Sequence, residues 1–432
     1  MPKDKAVKEA LAHGKRTHTR WYTPRPPRPP RPPSSSAADH SAPPKPPKAR
    51  PAAQTPSAAL WTPIHLHHFD RDSSRWTPLA PSAYSRSAPL LPSAASPFPD
   101  KPHQLTVLTY NTWSSSPTHH PAQSRAILDL LSSSRADLIA LQEVSAAFFA
   151  RLCAEPFFRT GAGEWLVTTP DEYWRAAGPG APADRRGKAG EEEACVVLLR
   201  RGLVGTLSEV GVLRLERARD EGAKAAIALR LFDGDAERLR IVTSHFSSLP
   251  HNAPLRSRQY RSCLSWLDSS SCSMSSLSSH ATTTRLFLGD FNASTPAEFS
   301  PLTSPPHSLV DACPSAPSSC TSPSTSAQEA SFRAPPTFGH LYPWVHPSSR
   351  KPRKPRRIDR VYYSCPPPSS RGSSHTSGWA LRPAEGGENA YEQLGGSEAV
   401  RGPQGKDRTG RAGKRWASDH EAVRVSFEWV PA

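Results

Sequence analysis

The sequence predicts an α/β domain carrying long low-complexity additions. Three observations carry that prediction. Short runs rich in β-branched and apolar residues recur from Gln104 onward. Two stretches with helical apolar spacing lie between such runs. The strand-like runs also end, one after another, in a carboxylate, a carboxamide or an imidazole.

The additions come first along the chain. With 49 prolines and 36% hydrophobic residues, the 432 residues cannot all be core. Residues 1–57 are expected to be a disordered, basic, proline-rich tail. Its "PRPPRPPRPP", Pro24 to Pro33, favours a stiff polyproline II rod. Such a rod serves as a spacer or docks in the aromatic-lined groove of an SH3-type partner. Residues 58–103 read as a linker or arm, in which aromatic residues return with "LWTPIHLHHFDRDSSRW". Residues 104–432 are left for the folded domain.

Within it, "QLTVLTYN" from Gln104 to Asn111 alternates and reads as a strand. "AQSRAILDLLSSSRADLIALQEV" follows. It gives a helix face of Ile127, Leu128, Leu130 and Leu131, then a buried strand from Leu138 to Leu141. Runs beginning at Glu193, Ala225, Arg238 and Thr284 read as further strands, with "APLRSRQYRSCLSWL" as a helix between the last two. "RRIDRVYYS" and "SDHEAVRVSFEW" complete the set. Polar insertions at Pro170–Gly190, Ser269–His280, Pro314–Pro336 and Pro366–Arg415 are expected to be surface loops.

A formal charge of +16 and a pI near 9.8 attract polyanions, nucleic acid above all. The charge concentrates in the tail and in "RKPRKPRR", Arg350 to Arg357. Seven cysteines, an odd number with no C-x-x-C pair, point to a reducing, intracellular compartment. "KRTHTR" in the tail is basic enough for a nuclear-import signal, so a nuclear location is expected. No run approaches the roughly 18–20 apolar residues that a transmembrane segment needs.

The polar strand termini carry the chemistry. They are Asn111, Glu143, His245, Asp290 with Asn292, Asp359, and Asp419 with His420. Alternation along "GDFN" puts Asp290 and Asn292 on one side and Phe291 on the other. Each acid alone reads as a turn or cap residue. Six polar termini on six strands indicate one shared site.

The order N, LQE, SH, GDFN, RIDR, SDH resembles the endonuclease/exonuclease/phosphatase family of metal-dependent phosphodiesterases, over about Leu105 to Trp429. The resemblance implies a four-layered α/β sandwich: two mixed β-sheets face each other, with helices outside. It implies Mg²⁺, with Mn²⁺ as an alternative, held by Glu143 and Asn111 with Asp419 nearby. It places Asp290 and Asn292 against a scissile phosphate. His420 would touch that phosphate, oriented by Asp359, and His245 would be a second phosphate contact or general acid.

Within the family, "LTYNTW", "IALQEV", "TSHFSSL", "LVDACP", "PTFGHLYP" and "RIDRV" are most similar to the 5′-tyrosyl-DNA phosphodiesterases. Ser247 departs from that subgroup's usual glutamate. Val144 and Ser145 depart from the LQE-x-K of AP endonucleases. The subgroup implies hydrolysis of 5′-phosphotyrosyl-DNA in DNA repair by a monomer, with DNA bearing a 5′ adduct as partner. Arg258, Arg360 and the basic run are then candidate phosphate contacts. The alternatives are another hydrolase of the family (nuclease, deadenylase or sphingomyelinase-like) and a non-catalytic scaffold with a degenerate domain.

Overall fold

Two strand–helix–strand crossovers organise the chain, one in each of two sheets. The computed structural model describes residues 61–79, 104–114, 121–160, 165–177, 193–201, 203, 207–218, 221, 223–233, 236–269, 283–313, 337–338, 356–364, 379–384, 391–394, 418 and 420–431. The basic tail at 1–57 lies outside them, as do most of the basic run and Asp419. All described residues belong to one unit, Gln54–Ala432.

Three short strands come first: β1 (Trp61–Pro63), β2 (His67–Asp70) and β3 (Arg75–Pro78). The first crossover is β4 (Gln104–Asn111), α1 (Pro121–Ser133) and β5 (Leu138–Val144). Helices α2 (Ala146–Ala154) and α3 (Pro156–Thr160) follow, then β6 (Trp165–Val167), α4 (Pro170–Ala177) and β7 (Ala194–Arg200). Strands β8 (Leu207–Arg214) and β9 (Ala225–Asp233) lead to the second crossover: β10 (Ala236–His245), α5 (Ala253–Asp268) and β11 (Thr284–Asp290). A short helix α6 (Ser300–Thr303) precedes β12 (Leu309–Asp311), β13 (Asp359–Ser364), β14 (Trp379–Pro383), β15 (Tyr391–Leu394) and β16 (Ala422–Pro431).

One sheet has the order β1-β8-β9-β10-β11-β13-β12. The other runs β14-β16-β4-β5-β7-β6-β2-β3, with β15 also on β16. In each sheet the crossover strands pair in parallel, β4 with β5 and β10 with β11, and their neighbours are antiparallel. A parallel pair needs such a helical connection, because a tight turn cannot reverse the chain twice.

Apolar side chains sort into three layers that account for the sandwich. Between the sheets lie Val107, Leu138 and Val425 from one, with Ile227, Ile241, Leu286 and Val361 from the other. Outside the first sheet, Leu108, Ile139 and Leu141 pack on Ile127, Leu128 and Leu131 of α1 and on Phe148 of α2. Outside the second, Ala228, Val242 and Phe287 pack on Tyr260, Cys263 and Leu264 of α5. Helix, sheet, sheet and helix thus form the four-layered α/β sandwich with two mixed sheets that the resemblance implied. Arg240 closes the C-terminus of α5, with Nη1 donating to the Leu267 carbonyl at 2.9 Å.

Two expected insertions contain regular elements. Pro170–Ala177 is a helix: proline stands at its start, Asp171 and Glu172 fill its first turn, and Tyr173 and Ala176 bury between the sheets. Trp379–Pro383 and Tyr391–Leu394 are strands, because the ten-residue β16 offers an edge that pairs with both. The rest of the expected insertions lies outside the described residues. Ala146–Ala154, assigned no element from sequence, is a helix whose N-cap Ser145 accepts the Phe148 amide. In the arm, β1 pairs with β8 of one sheet while β2 and β3 form the edge of the other.

Candidate active site

One edge of the sandwich gathers the polar residues. The parallel strands deliver their last residues there, and antiparallel neighbours deliver their first. Asn111 ends β4 and Glu143 stands one residue before the end of β5. His245 and Asp290 end β10 and β11 and are register partners. Asp359 opens β13 opposite Asp290, and His420 lies two residues before β16.

Backbone strain aims several of these groups. Glu143 has φ +52° and Asn292 φ +50°, in the left-handed region that costs a non-glycine residue about 1–3 kcal/mol. Compensation for Glu143 comes from the Thr112 and Ser114 hydroxyls, which donate to its carbonyl at 3.2 and 2.8 Å. Asn292 is held by its own amide N–H, which donates to Asp290 Oδ1 at 2.9 Å, and by Nδ2 donating to the Phe246 carbonyl at 3.0 Å. Gly289 has φ +134°, and a Cβ there would meet the Ser244 carbonyl oxygen at 2.2 Å. The glycine of GD-x-N is therefore required by the close approach of β10.

Asp290 is the centre of the cluster and is buried. Asn111 Nδ2 donates to Asp290 Oδ2 at 2.9 Å and to Glu143 Oε1 at 2.8 Å, tying the two sheets' carboxylates together. Two imidazoles approach the same Oδ2, His245 Nε2 at 3.8 Å and His420 Nε2 at 3.9 Å. Burial pushes the Asp290 carboxyl up to about 7, and the nearby Asp359 charge adds to the rise; His420 and the bond from Asn111 oppose it.

His420 and Asp359 form a fixed pair, Nδ1 to Oδ2 at 2.8 Å. The carboxylate accepts from Nδ1–H, which leaves Nε2 facing Asp290. Among the described residues, Asp359 Oδ1 is buried with no hydrogen-bond partner. Thr337 braces this pair: its hydroxyl accepts the amides of Ile358 and Asp359 at 3.1 and 3.0 Å, and its carbonyl accepts the Glu421 amide. The Phe338 ring packs on His420 with centroids 4.9 Å apart. His245 is buried, which holds its imidazole well below the usual range; Lys224 and His420 push the same way.

Glu143, Asp290 and His420 offer donor atoms within 4.8 Å of one another. Glu143 Oε1 stands beside the Asn111 carboxamide at this edge, and a carboxylate and an amide oxygen suit a hard divalent cation, so the residues present fit the metal that the family implies.

Of the two expected arginine contacts, Arg360 lies on the face away from the cluster. Arg360 follows Asp359 on a strand, so its side chain points to the opposite face. There it is buried against the Phe299 ring, 4.1 Å from centroid, and ion-paired with Asp311. Arg357 of the basic run is likewise buried and paired with Asp311. Both guanidiniums are thus committed to Asp311. Arg258 forms an exposed bidentate pair with Glu216, at 2.6 and 2.9 Å, on α5. Ser247, at the position of the subgroup's glutamate, is buried and accepts Gln259 Nε2 at 3.0 Å.

Sequence reasoning missed Glu193 and Lys224. Glu193 Oε2 and Lys224 Nζ each stand 3.5 Å from His245 Nδ1. Both immediately precede a strand, β7 or β9, that runs antiparallel to a crossover strand. Attention to strand ends alone passes over such positions, although Asp359 and His420 obey the same rule. Ser418, whose hydroxyl donates to the Asn111 carbonyl at 2.8 Å, was also missed.

The Endonuclease/Exonuclease/phosphatase family model matches residues 108–420, well over half of the chain. No curated protein sequence matches it. Among solved structures, it is similar to humanized D. rerio TDP2 at 14% identity, covering 75% of this chain and 98% of that one, with a TM-score of 0.45. TDP2 from C. elegans gives 14% identity, 75% coverage of both chains and 0.46. The human Nocturnin catalytic domain gives 16% identity, 76% and 94% coverage, and 0.44. On the strength of the match over 108–420, the chain belongs to the Endonuclease/Exonuclease/phosphatase family and is a metal-dependent phosphodiesterase of that kind.

Proposed function

We propose that the chain hydrolyses the phosphodiester between a tyrosine and a DNA 5′ end, as a nuclear monomer acting in DNA repair. The observation that carries the hydrolytic part is the buried Asp290 carboxylate between two imidazoles, with the Asp359–His420 pair behind it. Support for the substrate comes from the six motifs similar to 5′-tyrosyl-DNA phosphodiesterases and from the +16 charge. Residues 104–432 form the catalytic domain in this reading, 58–103 the arm, and 1–57 a tail that serves as a spacer or docks an SH3-type domain.

Glu143 and Asn111, with Asp419, would hold Mg²⁺. When bound, the cation polarises the phosphate and relieves charge repulsion against an incoming nucleophile. Asp290 aligns a water and accepts its proton as the water oxygen attacks phosphorus. A carboxyl raised toward neutrality is a stronger base than an ordinary aspartate. Asn292 spends one amide hydrogen on the Phe246 carbonyl and has a second for a phosphate oxygen. His420, held by Asp359, donates to the phosphate through Nε2. His245 faces the departing tyrosyl oxygen. The phosphorus–oxygen bond to tyrosine breaks, leaving a 5′-phosphate.

The test is Mg²⁺-dependent cleavage of an oligonucleotide with a 5′-phosphotyrosine, beside an abasic duplex, poly(A) and sphingomyelin, with Asp290→Asn as control. Tyrosine release that the variant loses supports the whole reading. Activity on another substrate alone keeps the site and discards the repair role. Silence on all four favours the scaffold alternative.

A further inference from the structure

The β9–β10 ladder stops short of the site. Its last registered pair is Ser244 with Ala226, so Ala225 and His245 stand one residue beyond it. There the Ala225 carbonyl accepts two hydroxyls, Ser244 Oγ and Tyr173 Oη, each at 3.0 Å. The Cys195 thiol, from β7 of the opposite sheet, lies beside the Tyr173 hydroxyl and the His245 backbone. Tyr173 itself is buried between the sheets. Side-chain hydroxyls thus continue where the ladder leaves off, at the residue that carries the imidazole.

Helix α4, which carries Tyr173, is anchored at both ends. At its start Glu172 Oε2 accepts the His65 amide at 2.9 Å, and Oε1 lies 2.8 Å from His65 Nδ1. At its end the Ala176 carbonyl accepts Arg214 Nε at 2.7 Å. His65 stands between the buried Ile64 and Leu66, where the arm passes from β1 on one sheet to β2 on the other. The arm therefore sets how α4 seats Tyr173. Packing alone would be met by phenylalanine; a buried hydroxyl is costly unless bonded, and here its acceptor is the Ala225 carbonyl.

We propose that Tyr173 is a positioning residue for His245: through the Ala225 carbonyl and the Cys195 thiol, its hydroxyl fixes the end of β10 and so the aim of the imidazole at the departing oxygen. The inference rests on the role given to His245 above. Proton transfer needs its partners within about 3 Å, so a small displacement of the imidazole reaches the reaction while the sheet stays intact. Tyr173→Phe keeps the ring and its packing and removes only the hydroxyl, which separates the bond from the burial.

The test compares, with full-length protein, two oligonucleotides that differ only in the 5′ leaving group: phosphotyrosine and the ester of the far more acidic 4-nitrophenol. Protonation of the departing oxygen matters for the first and little for the second. Tyr173→Phe is expected to lower kcat about tenfold on the tyrosyl ester and less than about twofold on the nitrophenyl ester, with KM and melting temperature unchanged. In a His245→Gln background the same substitution should add nothing, as for residues that act as a unit. No loss on the tyrosyl ester, equal losses on both esters, or losses that multiply with those of His245→Gln would overturn the proposal. If Tyr173→Phe does not fold, Glu172→Ala, which frees α4 from the arm, decides by the same comparison. The His245 ring resonance, assigned by its absence in His245→Gln and followed by carbon–proton NMR, gives a readout without turnover. It should shift in Tyr173→Phe, and an unmoved resonance refutes the proposal. Should His245→Gln treat the two esters alike, the leaving-group role of His245 fails, while the resonance still decides whether Tyr173 places the imidazole.

Discussion

Replacing Asp290 with asparagine should abolish turnover and, in the metal-free protein, stabilise the fold. The carboxyl moves from 3.8 to about 7 on folding, chiefly through burial, with repulsion from Asp359 second. At about 1.4 kcal/mol per unit, ionised Asp290 costs the metal-free fold roughly 4 kcal/mol. The sign follows from proton uptake. Between the unfolded and folded values the native state holds a proton that the unfolded state has lost, so stability falls as pH rises through this window and levels off above about pH 7. From about pH 5 to about pH 8 the wild type should lose roughly 3 kcal/mol relative to Asp290→Asn.

The assay is urea unfolding of both proteins in EDTA at the two pH values. His245, whose imidazole is depressed, acts in the opposite sense: its burial destabilises the fold as pH drops below 6.5. Added Mg²⁺ should then stabilise the wild type at high pH and the variant much less, since a cation beside the carboxylate offsets its burial. A wild type and variant with parallel pH profiles would refute the buried-carboxylate account. A folded variant with near-normal turnover would remove Asp290 from the reaction.

Other perturbations separate chemistry from architecture. Asp359→Asn should lower kcat by about 10²–10⁴-fold in steady-state assays while leaving the melting temperature little changed, because it removes the acceptor that fixes His420; a loss under tenfold would count against the pair. Gly289→Ala should cost about 3 kcal/mol or more by urea unfolding, since the new Cβ would meet backbone that cannot yield. Arg256 is fully buried between Glu298, at 2.8 Å, and the carbonyls of Ser247 and Leu249. Arg256→Met strands Glu298 and should cost about 3–5 kcal/mol, read as a fall in melting temperature; an unchanged melting temperature would contradict that network. Chelation should abolish turnover and Mg²⁺ restore it, and full activity in EDTA would exclude the cation from the reaction.

How much of this was legible in the sequence depended on what each residue answers to. The crossover strands and α1 and α5 follow from apolar spacing, because both faces of a central strand, or one face of a helix, must bury. The Asn111, Glu143, His245 and Asp290 positions follow from where such runs stop. Helix α4 was hidden because it is only two turns long and opens a stretch read as a polar insertion, with Pro170, Tyr173 and Ala176 its buried residues. Strands β14 and β15 were hidden because their pairing partner, β16, is distant in sequence. Arg360 misled for a different reason. Its neighbour Asp359 is at the site, and adjacency in a strand means opposite faces. Glu193 and Lys224 were invisible until the strands' directions were known.

The same topology explains why the site and the core depend on each other. Asn111 and Glu143 come from one sheet; His245, Asp290 and Asp359 come from the other. At the cluster, bonds between these halves run through single groups, Asn111 Nδ2 to Asp290 and His420 Nδ1 to Asp359. Just below, the buried Gln142 amide reaches Thr109 of its own sheet and Thr243 of the opposite one, at 3.1 and 3.4 Å. The register between the sheets is therefore set by the apolar layer that contains Val107, Ile241 and Leu286, and fine-tuned by Gln142. A side chain removed from that layer leaves every site residue in place along its own strand, yet shifts one half of the cluster against the other. With proton-transfer partners needed within about 3 Å of their targets, such a shift reaches the chemistry before it unfolds the domain. Ile241→Ala, far from any reacting atom, should therefore lose kcat at temperatures where its far-ultraviolet circular dichroism is still native. Loss of both at a common midpoint would mean that the cluster is held by its own hydrogen bonds rather than by the packing of the sheets.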